Sequence, residues 1–284
     1  MYFATHHEKH ALCARDAATY EAVRFEMPSR VTKVLVDHCA LMNGSTSRLV
    51  AVTQTVNWGP VTVPIKVTRI QSKRLQKGED WLRNERRSLA AVGAAARAGL
   101  IAAYTSMELT AERLKARMGG RGIRGDLWND VSLEHVQAPL DRSTLMGSLS
   151  LEQMSSKDHR QEFYGLLLKF ARDGVPEWLW ERSPSNEFIE LQKRNVGRLA
   201  EYATLCDVVG EARWGDAFHY WTALCNDLDY FLTTDKNFLA ALREHPDKDL
   251  IFRAVTPSEL VEVLGLPAAA LPIEEGEIAP FATD

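Results

Sequence analysis

Apolar positions along this chain fall into two rhythms, short β-branched runs and longer stretches at helical spacing. Val31-Thr-Lys-Val-Leu-Val36 predicts a buried strand that ends at Asp37. Asn43-Gly-Ser-Thr-Ser47 is turn chemistry, and 48–70 predicts a hairpin of two Val/Thr-rich strands about Asn57-Trp-Gly-Pro60. From Gly78 to Ala98 the spacing predicts an Ala- and Arg-rich helix, stopped at Gly99. Leu100-Ile-Ala-Ala-Tyr104 predicts a second short strand, and Thr105 and Ser106 offer an N-cap for a helix to about Arg117. Gly119 to Gly125 reads as a flexible basic loop, and 126–157 as a poorly patterned excursion. Helices are expected at about 158–173 and 186–205.

The last third has the clearest pattern. A helix at 215–225, a strand at 230–233, a helix at 237–244 and a strand at 250–255 follow one another. Thr256-Pro257-Ser-Glu259 then opens a helix with Thr as N-cap, Pro at the first position and Glu at the third. Residues 1–30 are weakly patterned, with one short helix expected around 16–25. Strands alternating with helices predict an α/β fold with a mostly parallel sheet covered on both faces.

Composition narrows the classes. The chain has 284 residues, is 45% hydrophobic and carries a formal net charge of −4, so it is no polycation built to coat duplexes. Cys13, Cys39, Cys206 and Cys225 form no Cys-x-x-Cys pair, which argues against a zinc knuckle or disulfide framework. The amino terminus lacks a basic stretch followed by an apolar run, and no apolar run reaches the ~18 residues of a membrane span. These features predict a cytoplasmic protein with no membrane partner.

Ligands of open parallel sheets bind beyond the carboxyl ends of the strands. Asp37 and Asp235 each follow a predicted strand directly, and Asp216 begins the helix before the second of those strands. Hard oxygen ligands of this kind suit Mg²⁺ or Mn²⁺. Any one of these acids alone also serves as a turn former or helix cap.

Gly215-Asp-Ala-Phe-His-Tyr-Trp-Thr-Ala223 with Asp229-Tyr-Phe-Leu-Thr-Thr-Asp-Lys-Asn-Phe-Leu239 closely resembles the carboxyl-terminal half of a PIN domain. Ala254-Val-Thr-Pro-Ser-Glu-Leu260 is similar to that family's final strand and helix, and Val34-Leu-Val-Asp37 to its opening strand and first acid. Tyr104-Thr-Ser-Met-Glu-Leu-Thr-Ala-Glu112 resembles the segment bearing its remaining acid, with Glu112 the better-spaced choice and Glu108 the second. The likeness covers about 213–262, with 31–38 and 100–113, and fails elsewhere. It implies a three-layer α/β/α sandwich over 31–265 with insertions at about 43–99 and 119–200, an extension at 1–30 and a tail at 266–284.

The resemblance implies a Mg²⁺- or Mn²⁺-dependent endoribonuclease that hydrolyses RNA through Asp37, Glu112, Asp216 and Asp235, with Asn237 adding a neutral oxygen. Thr233 and Thr234 are expected to orient a carboxylate or a water. His219, three residues after Asp216, is expected to pack and hydrogen-bond rather than bind metal, and His6, His7 and His10 to bind metal only adventitiously. Arg117, Arg121 and Arg124 are candidate phosphate contacts, and Arg83, Arg86 and Arg87 mark an outer helix face. Trp128, Trp178 and Trp180 suit either base stacking or the core. A catalytically idle PIN-like module binding RNA or protein is the alternative. A homodimer and an inhibitory protein partner are compatible with the family.

Overall fold

The chain is described in a computed structural model, which covers residues 30–118, 126–177, 190–245 and 253–280. Two compact units separate at Arg30, and the second, from Val31 onward, carries the fold. The short helix expected around 16–25, the basic loop 119–125 and Trp178 and Trp180 lie outside the described residues.

Five strands form a parallel sheet in the order β5-β4-β1-β6-β7. These are β1 (Thr32–Val36), β4 (Ile101–Ser106), β5 (Leu133–Val136), β6 (Tyr230–Leu232) and β7 (Ala254–Val255). The central strand β1 pairs β4 with Leu35 opposite Tyr104, and β6 with Val36 opposite Leu232. Successive side chains on a strand point to opposite faces, and two cores follow from that alternation. Leu35, Phe231 and Ala254 enter one; Val34, Val36, Leu232 and Val255 enter the other.

The first core is built by α6 (Lys157–Asp173), α8 (Leu199–Val209) and α9 (Trp214–Cys225), whose Phe163, Tyr202, Phe218 and Trp221 are fully buried. Rings of Phe163 and Phe218 meet edge-on at 5.4 Å, the geometry that aromatic quadrupoles favour. The second core is built by α2 (Asp80–Arg97) and α11 (Pro257–Leu264), with α1 (His38–Asn43) beside them. Helix α11 begins as its sequence predicts: Thr256 and Glu259 form a reciprocal capping box and Pro257 occupies the first turn.

Helix α2 also carries a buried acid, Glu85, which accepts hydrogen bonds from Ser258 N at 2.9 Å and Ser258 Oγ at 2.8 Å. The carboxylate thereby sits at the amino end of α11, where unpaired N–H groups favour negative charge.

The stretch 126–157 is not an excursion. It supplies edge strand β5 together with α4 (Arg142–Met146) and α5 (Leu151–Ser155). Leu133-Glu-His-Val136 hides its strand character because an edge strand exposes Glu134 and His135. Trp128 is in the core rather than free to stack: it is fully buried, its Nε1 donates to Ala40 O at 3.3 Å, and a Cβ on Gly44 would collide with its ring. The expected helix over 186–205 is two where described, α7 (Glu190–Val196) and α8, separated at Gly197-Arg198.

The predicted hairpin is a long antiparallel ribbon, β2 (Ser47–Trp58) and β3 (Val61–Ser72), paired along its whole length. Part of the expected tail adds a third strand, β8 (Ile278–Pro280), against the root of β3. Among the described residues no helix is long and apolar enough to cross a membrane.

Candidate functional site

Three elements bring acids to the carboxyl edge of the central sheet. Asp37 leaves β1, caps α1 by accepting from His38 N at 2.7 Å, and is almost fully buried. Its own backbone N–H donates to Leu232 O at 3.0 Å, which fixes it beside the end of β6. Asp235 follows β6 and caps α10 (Lys236–Arg243), accepting from Asn237 N and Phe238 N at 2.9 Å each through Oδ1. Asp216 lies in the first turn of α9.

Thr233 joins the first two acids. Its hydroxyl donates to Asp37 Oδ2 at 2.7 Å and accepts from Asp235 N at 3.0 Å. Thr234 instead accepts from Asn43 Nδ2 at 2.7 Å, tying the end of β6 to the end of α1. Thr233 therefore orients a carboxylate, whereas Thr234 braces the backbone.

Asp216 has no hydrogen bond or ion pair to it among the described residues, and its carboxyl is pushed up to about 7. Burial is the largest cause; Asp37, Asp235 and Glu112 add repulsion, against a smaller opposing pull from His219. The other three acids thus lie within electrostatic reach of Asp216. At neutral pH Asp216 shares its environment with carboxylates it cannot comfortably join as an anion.

The two acids of α3 (Met107–Met118) have separate fates, although they share a helical face. Glu112 turns toward the cluster. His219 Nε2 approaches its Oε1 at 3.4 Å without the direction of a hydrogen bond, and Arg160 Nε stands at 3.7 Å from the same oxygen. Burial raises the Glu112 carboxyl, but His219 and Arg160 overcome it and hold it at about 2. His219 is held reciprocally at about 9, with burial opposed by Glu112, Asp37 and Asp216. It is buried, as expected of a packing residue, yet it is also a cation facing acids.

Glu108, the second-choice acid, is paired elsewhere: Arg142 Nε donates to it at 3.0 Å in a buried ion pair. The same guanidinium donates to Gln153 O at 3.2 Å and Met154 O at 2.9 Å, so Glu108 helps to hold α4 and α5 against α3.

Cys39, Asn43 and Arg160 are neighbours that sequence reasoning missed. Cys39 Sγ donates to Asp37 Oδ2 at 2.6 Å, and burial, followed by the Asp37 charge, pushes its thiol well up, so it remains an S–H donor and not a nucleophile. Its place two residues after an acid that caps a helix was the only available signal. Arg160 comes from distant α6, and no local pattern announces it. Asn237 is exposed on the first turn of α10. The side chain of Arg117, with Arg121, Arg124, His6, His7 and His10, lies outside the described residues.

No protein-family model, curated protein or solved structure matches the chain significantly. Chemistry must therefore be judged from the donors themselves. Among the described residues, Asp235 keeps Oδ2 without a hydrogen bond, Asp216 keeps both oxygens, and Asp37 Oδ1 accepts only one bond. A carboxylate has about four lone-pair sites, so this all-oxygen set has capacity left for a hard divalent cation. Among the described residues no three His, Cys, Asp or Glu side chains stand as a ready-made metal cage. Fit is therefore one of donor type and charge; closing on an ion requires side-chain rotation.

Proposed function

We propose that the chain is a Mg²⁺- or Mn²⁺-dependent endoribonuclease with a PIN-like α/β/α sandwich. The observation that carries this reading is the convergence of Asp37, Asp235 and Asp216 at the carboxyl edge of a parallel sheet, with Asp216 left among acids without a hydrogen bond from the described residues. An acid in that position is stabilised by a cation. Asp37, Asp216 and Asp235 would hold the ion, and a divalent ion supplies Lewis acidity and charge neutralisation at a phosphodiester.

The remaining chemistry belongs to the chain. Thr233 and Cys39 restrain Asp37 Oδ2. Asp235 is fixed through its cap on α10, which leaves Oδ2 as its free donor. Glu112 is committed in its present position to His219 and Arg160, which both approach its Oε1 and balance its charge. His219, as an imidazolium, lowers the negative potential that an incoming phosphate meets.

That commitment of Glu112 also supports a second reading, an idle PIN-like module that binds RNA or protein without cutting. Single-stranded RNA incubated with the protein in Mn²⁺ or in EDTA separates the two. The nuclease reading expects cleavage in Mn²⁺, none in EDTA, and a loss of about a hundredfold or more in Asp37→Asn and Asp235→Asn, equivalent to about 2.7 kcal/mol of barrier. RNA binding without cleavage supports the idle module. Cleavage that survives both substitutions refutes this assignment of the site.

A further inference from the structure

The β2–β3 ribbon has a one-sided charge. Between Asn43 and Gly78 there is no Asp or Glu, while Arg48, Lys66, Arg69, Lys73, Arg74 and Lys77 all fall in that span of a chain whose net charge is −4. At the root of the ribbon, Arg48, Gln71, Ser72, Lys73 and Arg74 line an open cleft of about 540 Å³.

The cations of this cleft are held by neutral partners. Arg48 donates through Nε and Nη2 to Gln71 Oε1 at 3.2 and 3.0 Å. Lys73 Nζ donates to Ser45 O at 3.0 Å and Ser45 Oγ at 2.8 Å. Arg74 is exposed. Arg86 of α2 adds a further positive charge within reach of Lys73, and its buried Nε has no hydrogen-bond partner among the described residues. Burial works most against the Lys73 charge; Asp126 favours it, and Arg86 and then Arg48 oppose it more weakly.

Of the acids nearby, Glu277, whose backbone carbonyl accepts from Ser72 N at 2.9 Å, is exposed and not among the lining residues of the cleft, whereas Asp126, Glu79 and Glu275 are engaged. Asp126 Oδ2 accepts from Thr46 Oγ1 at 2.9 Å, and Glu79 Oε2 accepts from Gln76 N at 2.6 Å. Glu275 accepts from Leu75 N at 2.8 Å and pairs with Arg83 at 2.7 Å. Like charges gathered in an open cleft, without a carboxylate among its lining residues, are complementary to an anion.

Connectivity relates the cleft to the acid cluster. The turn leading into the ribbon root follows α1 directly, and α1 is six residues long, about 9 Å, starting from Asp37. The cleft is therefore separated from Asp37 along the chain by one short helix and one turn. A strand gripped at one point and cut at another needs such an offset. We propose that the root of the β2–β3 ribbon grips the backbone of a nucleic-acid strand, with Arg48, Lys73 and Arg74 contacting its phosphates. Only the identity of the anion as part of such a strand rests on the nuclease reading. Trp58, exposed at the far tip, is ten residues from Arg48, about 34 Å along the strand, and lies outside the grip.

The test is fluorescence anisotropy of a labelled 12-nucleotide single-stranded RNA, titrated in EDTA over a range of salt with full-length Asp37→Asn protein so that cleavage plays no part. Adding Arg48→Ala and Arg74→Ala should weaken binding by about tenfold or more. The slope of log K against log salt should fall by about 1.4, since each single-strand phosphate left without its cation removes about 0.7. Trp58→Ala should leave both unchanged. Arg74→Glu, a single change at an exposed position, should act in the same direction, and thermal melts coincident with the parent protein show that folding is intact. Unchanged affinity and slope in the double variant overturn the proposal, as does saturable binding of inorganic phosphate without oligonucleotide binding. If the parent protein cleaves RNA while the ribbon variants bind it normally, the ribbon proposal falls and the nuclease reading stands. If the ribbon variants lose binding but no metal-dependent cleavage is seen, the reverse holds.

Discussion

Glu85 and Asp216 are both acids whose carboxyls burial pushes up, yet their surroundings treat them in opposite ways. Glu85 reaches the amino end of α11, where the Ser258 N–H and hydroxyl meet its two oxygens. Asp216 meets Asp37, Asp235 and Glu112 and has no donor of its own among the described residues. A buried acid that has its hydrogen bonds is part of the fold. One left without them among like charges costs stability, and an added cation can recover that cost. Glu108, paired with buried Arg142, belongs with Glu85.

The largest effect should come from breaking the paired acids. Glu108→Ala leaves Arg142 buried without its counter-charge and should lower stability by about 3–5 kcal/mol, read by urea denaturation. A loss under about 1 kcal/mol would place Glu108 with the unsatisfied acids instead. Glu85→Ala strands the Ser258 donors at the start of α11 and should cost about 1–3 kcal/mol, with or without divalent metal. If added Mn²⁺ changed that cost, Glu85 would belong to the metal-responsive group.

Asp216→Asn should act in the opposite direction and more weakly. With its carboxyl raised from 3.8 to about 7, folded Asp216 keeps a proton that the unfolded chain has released. Its contribution to stability is therefore full below pH ~4 and is lost as pH rises to about 7. The variant in EDTA at pH ~8 should melt higher by about 2–4 °C, the shift that about one kcal/mol gives in a domain of this size. Its stability should also vary less than the parent's between pH ~4 and ~7. A lower melting point in the variant would mean that Asp216 has a stabilising partner.

The same distinction governs what the sequence could reveal. Strand β1, the β6 end with Thr233 and Asp235, and the α11 cap are written in local chemistry: alternation, an acid at a strand end, and Thr-Pro-x-Glu. Edge strands β5 and β8 are short and carry Glu134, His135 and Pro280, so neither shows an apolar run. In the site, Asp37, Asp216 and Asp235 could be picked out by position because each opens a helix or sits in its first turn. Arg160 facing Glu112, and Arg142 drawing Glu108 away, could not, since both pairs join distant segments whose approach is decided by core packing.

The most direct measurement is the thermal shift on adding Mn²⁺ at pH ~8 to the parent protein and to Asp37→Asn and Asp216→Asn. At about a hundredfold excess over the dissociation constant, binding should contribute about 2.7 kcal/mol, or about 5–10 °C for a domain of this size. Both variants should lose most of that gain. No shift in the parent, or an equal shift in all three proteins, would contradict a cation site built on Asp37 and Asp216.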